Sequence, residues 1–177
     1  CKHVAAKEGT ACDADGTDCT AGDVCAGGKC VIGVSKLFDA TFGGTSADSG
    51  YALATVPGGF ALAGGTKSKG AGATDAWLIR TNDSGNVIWD KTYGGAKDDV
   101  TLAIEPVAGG FALAGYTSST GAGGTDFWLL RVDENGDLMW SMTYGGSGND
   151  HARGLAVVAD GFAVAGYSGP NEPGNRD

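Results

Sequence analysis

At 177 residues with a formal charge of −9, the chain has the length of one ordinary domain and the wrong electrostatic sign for nucleic acid, whose phosphates call for clustered Lys and Arg. The negative charge is spread through loops rather than gathered in a tail, and no apolar run approaches the roughly 18 residues of a spanning helix, which excludes that kind of membrane span. Composition divides the chain: all five cysteines lie within residues 1–30, and the remainder is rich in glycine and aromatic residues.

The first piece, residues 1–33, is poor in large apolar side chains and needs crosslinks to hold a shape. Cys12, Cys19, Cys25 and Cys30 sit close together with Gly and Asp between them, and are expected to form two disulfides by one of three possible pairings. Cys1 is left over. A structural zinc site would ask for paired two-residue spacings, and a redox site for Cys-x-x-Cys; neither is present. Disulfides imply an oxidising compartment, so the chain is expected to be secreted, extracellular or at the cell surface. It carries no visible signal peptide and does not begin with Met, and is therefore expected to be a processed or excised piece. Asp13-x-Asp15-x-x-Asp18 has calcium-like oxygen spacing, and a small loop gains stability from any ligand it holds.

A short connector, Val31 to Lys36, leads into the second piece, residues 34–177, which is organised by a repeat of 51 residues. Phe42-Gly43-Gly44 returns as Tyr93-Gly94-Gly95 and Tyr144-Gly145-Gly146, and the same spacing relates Phe60, Phe111 and Phe162, Trp77 and Trp128, and Phe38, Trp89 and Trp140. No insertion breaks the register. A period of about 50 residues lies in the propeller range, where each repeat is a small sheet that buries its faces only against its neighbours.

Within one repeat the first strand runs roughly from Val100 to Val107 and ends at a two-residue loop read as Gly109-Gly110, with Gly58-Gly59 and Asp160-Gly161 as its counterparts. The second strand, Phe111-Ala112-Leu113-Ala114-Gly115, sets large residues on one face and alanines on the other; having no polar face, it is expected to be covered on both sides. Gly/Ser/Thr loops, Thr66 to Thr74 and Thr117 to Thr125, lead to a third strand that starts at Asp75 or Asp126 and carries Trp77 or Trp128. These loops are the places where surface contacts are expected. A tight turn then precedes the fourth strand, which carries Trp89 or Trp140. Helix is not expected anywhere, because Gly, Pro or a β-type pattern interrupts every window of about ten residues.

The Tyr-Gly-Gly corner, the Gly-Phe-Ala-Leu-Ala-Gly strand and the run from Asp126 to Trp140 together resemble the Tyr-Gly-Gly repeats of large bacterial and archaeal surface proteins. The resemblance covers nearly all of the second piece and implies β-propeller blades. The Asp…Gly…Trp end of each repeat is also similar to quinoprotein-type blades, in which the Trp docks between neighbours; that likeness is too short to carry cofactor residues. Gly9 to Cys30 resembles small cysteine-rich modules arrayed in bacterial secreted proteins, and this likeness implies that Cys1 belongs to a preceding module. The expected fold class is therefore all-β: four-stranded propeller-type blades, two whole and others partial, after a small disulfide-rich module.

Few residues suggest chemistry. His151 matches Val100 and Ser49 in the other repeats, stands outside the repeated design, and is read as an exposed residue at a strand start. Asp98 and Asp99 are adjacent on a strand, so their side chains point to opposite faces; Asp48, Asp99 and Asp150 recur in register and are expected to accept bonds from nearby backbone N–H groups. Asp133-x-Asn135-x-Asp137 has calcium-like spacing but fails to complete an EF-hand, and its counterpart, Asn82, Ser84 and Asn86, has no carboxylate, so a hairpin turn is the stronger reading. Trp77, Trp89, Trp128 and Trp140 are read as packing residues between blades rather than a sugar platform. No cofactor is expected, calcium being the one ligand considered. No catalytic residue is assigned. The function expected is a non-catalytic repeat protein that binds, adheres or builds an external structure such as a filament; the alternative is a fragment of a secreted propeller enzyme whose site lies mostly outside this chain. Expected partners are a protein or glycan ligand, or further copies of the chain assembled head to tail. Asp177 is in register with Asp75 and Asp126, so the strand count leaves a half-repeat, and the natural protein is expected either to continue or to complete that sheet with another chain.

Overall fold

The computed structural model describes residues 23–26, 29–32 and 38–169. Every regular element among the described residues is a strand, and the chain separates into two compact units, Cys1–Asp39 and Ala40–Asp177. In the first unit β1 (Asp23–Ala26) and β2 (Lys29–Ile32) form an antiparallel hairpin whose backbone register sets Cys25 opposite Cys30. Cys1, Cys12, Cys19, Asp13, Asp15 and Asp18 lie outside the described residues.

The second unit begins with β3 (Asp48–Val56), β4 (Gly59–Thr66), β5 (Asp75–Thr81) and β6 (Val87–Tyr93), an antiparallel four-stranded sheet in chain order, here sheet I. Sheet II repeats it with β7 (Asp99–Val107), β8 (Gly110–Thr117), β9 (Asp126–Val132) and β10 (Leu138–Tyr144). Among the described residues β11 (Asn149–Val158) and β12 (Gly161–Gly169) pair only with each other, giving a two-stranded hairpin III. The first repeat departs from the others, and one reading of the sequence is corrected. Residues 38–44, in register with the fourth strand and corner of the later repeats, form no strand; Phe42 instead lines a cleft on sheet I beside Leu62, Trp77 and Ile79. The hairpin loops sit one residue earlier than expected: Val56 pairs with Gly59 and Val107 with Gly110, so the loop residues are Pro57-Gly58 and Ala108-Gly109. Proline presets φ for the first of these positions, and Gly58 and Gly109, both at φ 72°, supply the left-handed second.

Each first strand carries a β-bulge in which pairing skips Tyr51, Leu102 or Arg153. The bulge turns a carbonyl toward the second strand, where a Cβ on Gly64, Gly115 or Gly166 would overlap the backbone oxygen of Ser49, Val100 or His151. Glycine at these three positions is thus a requirement of close backbone approach.

The alternation of large and small side chains in β4 and β8 reflects which neighbour each face meets. Ala54, Ala61, Ala63 and Leu78 of sheet I lie against Ile104, Phe111, Leu113 and Leu130 of sheet II in one buried cluster. Leu78, Leu113 and Leu130 have no exposed surface, and burial of each contributes about 2 kcal/mol. The seam between sheet II and hairpin III follows the same rule with Ala114 and Leu129 against Leu155 and Phe162. Neighbouring repeats are also stitched at one end by parallel bridges, Thr74 to Asp98 and Thr125 to Asn149.

Candidate functional site

The recurring aspartates organise one end of each sheet. Asp99 is fully buried at the start of β7; it accepts the Gly95 N–H at 2.7 Å, the Ser119 hydroxyl at 2.6 Å and the Thr117 hydroxyl. Asp48 has the same set of partners in sheet I: the Gly44 N–H at 2.8 Å, the Ser68 hydroxyl at 2.7 Å and the Thr66 hydroxyl. These bonds, led by that from Thr66, hold the Asp48 carboxyl well below the usual carboxylate range. Asp150 keeps the Gly146 N–H at 2.9 Å, but its buried Oδ1 has no partner among the described residues. The repeated Thr-x-Ser after the second strand, Thr66/Ser68 and Thr117/Ser119, is the signal that marks this network, and it lapses at Ser168-Gly169-Pro170. Asp98 takes a separate partner, the Thr74 hydroxyl at 2.6 Å.

The Tyr-Gly-Gly corner joins one repeat to the next. The buried Tyr93 hydroxyl donates to the Gly136 carbonyl, in the β9–β10 turn, at 2.6 Å. Burial, with Asp137 and Asp133 nearby, pushes its pKa above the ordinary tyrosine value. Trp89 meets Phe111 edge-on, centroids 6.2 Å apart at 72°, and Trp140 meets Phe162 at 6.0 Å and 60°. Trp77 and Trp128 are buried within their sheets; the Trp128 indole donates to the Ser141 hydroxyl at 2.7 Å, whereas that of Trp77 has no acceptor among the described residues and its ring lies 5.3 Å from the Lys69 ammonium.

Asp133, Asn135 and Asp137 lie together in the β9–β10 turn, where one Asp133 oxygen accepts the N–H groups of Asn135 at 2.8 Å and Asp137 at 2.9 Å. Asn82 does the same for Ser84 and Asn86 in the β5–β6 turn. An amide that serves as well as a carboxylate marks this as turn chemistry; Asp137 extends outward to the exposed Lys91 at 3.1 Å. Among the described residues no three His, Cys, Asp or Glu side chains gather to hold a metal ion.

Between β6 of sheet I and the β9–β10 turn of sheet II lies a groove of about 590 Å³. Tyr93 to Ala96 form one wall, and Thr117, Ser119 and Thr120, from a loop singled out in the sequence, form the other, with Trp128 and Ser141 between them. Lys91, Asp137 and Leu138 also line it, so the groove is mixed in character, with charged, hydroxyl and apolar groups together. Its Ser119 and Thr117 hydroxyls are engaged by Asp99 and the Ser141 hydroxyl by Trp128, which leaves Thr120 as the exposed hydroxyl on the rim.

His151 is half-buried, a correction to the exposed position expected of it. Its ring stacks on Tyr116 of sheet II, centroids 4.0 Å apart at 17°, and lies 4.8 Å from Tyr167. Arg153 in turn sits 5.4 Å from the Tyr167 ring. Burial and then the Arg153 charge lower the His151 pKa, against a smaller opposing effect of Asp150. Tyr116 and Tyr167 occupy the same repeat position, held by Gly65 in the first repeat, but His151 and Arg153 recur in neither of the other repeats, so periodicity gave no signal for the stack. Comparison with protein-family models returned no match, and comparison with curated proteins returned none either. No helix among the described residues is long and apolar enough to cross a membrane.

Proposed function

We propose that this chain is a non-catalytic, extracellular or cell-surface repeat protein whose sheets are propeller-type blades serving binding or the construction of an external assembly. The observation that carries this reading is the use made of the recurring polar residues: Asp48, Asp99, Tyr93 and Trp128 all spend their hydrogen bonds on joining strands and repeats. A stack of repeats with a groove at the seam of sheets I and II is a scaffold for presenting loops. The five cysteines of residues 1–30 support the compartment.

The test is retention of the labelled chain on an array of neutral oligosaccharides and purified surface proteins, compared with Thr120→Trp, which would fill the groove from its exposed rim. Retention lost in the variant, with an unchanged melting temperature, is the expected result. Absence of retention, or turnover of a hydrolase substrate that Thr120→Trp abolishes, would overturn it.

A further inference from the structure

The two complete sheets fill the space beside their buried tryptophan differently. In sheet I the Lys69 ammonium lies 5.3 Å from the centroid of the Trp77 ring and pairs with the Asp90 carboxylate. A shift of 51 residues puts Thr120, Trp128 and Ser141 at these positions in sheet II, and all three line the groove of about 590 Å³ described above. Threonine in place of lysine, and serine in place of aspartate, shorten both side chains and remove both charges. The space that sheet I fills with its own ammonium is therefore open in sheet II.

The hydrogen bonds follow the same exchange. The Trp128 indole donates to the Ser141 hydroxyl at 2.7 Å, whereas Asp90, at the equivalent position, turns to Lys69 and the Trp77 indole has no acceptor among the described residues. In sheet I, then, holding the ammonium takes precedence over the indole bond.

What surrounds the open space suits a cation. Trp128 and Tyr93 both line it, and aromatic ring faces attract a cation within about 6 Å of their centroids. Asp137 is the only carboxylate among the lining residues. Its partner Lys91 is 3.1 Å away with both side chains exposed; such a pair is weak, so the carboxylate can be shared with a second cation. Asp133, in the same turn, adds to the negative potential at the Tyr93 hydroxyl, and the net charge of −9 favours the approach of cations.

We propose that the groove beside Trp128 is a seat for a primary alkylammonium group, which enters between Thr120 and Ser141 and is held by the Trp128 and Tyr93 rings and the Asp137 carboxylate. The proposal rests on the reading of this groove as a binding surface and names the group that the surface takes. A free amine and the lysine side chain of a partner share this chemistry.

The probe is n-butylammonium chloride, titrated into the full chain at constant ionic strength and followed by NMR at the indole N–H signals, with Trp77 and Trp128 assigned from their Phe variants. Saturable displacement of the Trp128 signal is expected, with n-butanol binding at least about ten-fold more weakly. Thr120→Lys combined with Ser141→Asp transplants the internal ion pair of sheet I and should weaken butylammonium binding at least about ten-fold. Asp137→Asn, which installs the residue type of the equivalent Asn86, should weaken it about three-fold, and Lys91→Met should strengthen it by a similar factor. These two single variants keep the test decisive if the double variant does not fold. Nα-acetyl-lysine N-methylamide, titrated in parallel, separates the two sources: binding at least as tight as that of the free amine assigns the seat to a partner's lysine, and weaker binding assigns it to a small amine. No saturable shift at Trp128, equal binding of n-butanol, undiminished binding by the folded double variant, or no response to either single variant would overturn the proposal. Array retention that Thr120→Trp abolishes, with no ammonium response, would remove this proposal and leave the reading above standing; an ammonium response with no array retention would count against that reading alone.

Discussion

Glycines that look alike in the repeat do unlike work. A Cβ on Gly115 would overlap the Val100 carbonyl across the bulge, and since the obstacle is backbone no side-chain rotation relieves it, whereas a Cβ on Gly50 meets nothing within 4 Å. Gly115→Ala should therefore destabilise the second unit by about 3 kcal/mol, the upper end for overpacking, while Gly50→Ala stays within about 0.5 kcal/mol; urea melts of both variants check this. Tyr93 and Tyr144 form a second informative pair, one 9% exposed and bonded to the next repeat, the other 53% exposed with its hydroxyl on Met142. Tyr93→Phe leaves a carbonyl at the seam without its donor and should cost about 1–2 kcal/mol, against no measurable change for Tyr144→Phe in the same assay. His151 provides a pH-dependent test. Its pKa is lowered from 6.5 in the folded chain, so the unfolded chain binds the proton first, and stability should fall as pH drops below about 6.5. His151→Phe preserves a ring against Tyr116 and should flatten the melting temperature across that window. The lowered carboxyls of Asp48 and Asp133 act below their ordinary value of 3.8 and so leave the window to His151.

At the scale of elements, identity of sequence pattern does not bring identity of burial. β4, β8 and β12 share a Gly-Phe-Ala-x-Ala-Gly core, yet β8 is buried along nearly its whole length and β12 is largely exposed. The third and fourth strands supply the missing cover, since a sheet face is buried only by what stacks on it and an edge only by what pairs with it. The β9–β10 turn illustrates the same dependence at a smaller size: Gly136, at φ 78°, both shapes the turn and brings it onto Trp89, whose ring a Cβ would approach to 2.8 Å. The turn's own hydrogen bonds are local, but its position is set by the preceding repeat.

In the whole molecule these differences form a gradient. Sheets I and II share the large cluster that includes Leu78, Leu113 and Leu130, while the seam to hairpin III has Ala114, Leu129 and Ala152 as its buried members. Repeat arrays open from the end with the weaker interface. Native-state hydrogen exchange should accordingly show amides of 161–169 exchanging by local opening and those of β8 and β9 only near the global unfolding free energy; uniform protection across the three repeats would contradict the gradient.

Strand order, the 51-residue register, the turns and the covered character of the second strand follow from local chemistry: glycine where φ must be positive, Asp or Asn where a turn needs an acceptor, and no polar face where both faces are covered. Those properties are legible because each depends on residues a few positions apart or on exact recurrence, as Gly64, Gly115 and Gly166 or Asp48 and Asp99 demonstrate. The absence of a strand at residues 38–44, the half-burial of His151 between two tyrosines and the bond from Tyr93 to Gly136 were not legible, because each depends on which distant segment pairs, stacks or covers. Periodicity reports what repeats agree on, as at Tyr116 and Tyr167; the His151 ring that stacks there and the exposure of Val164 arise where repeats differ, and only the packing of one repeat on the next decides the outcome.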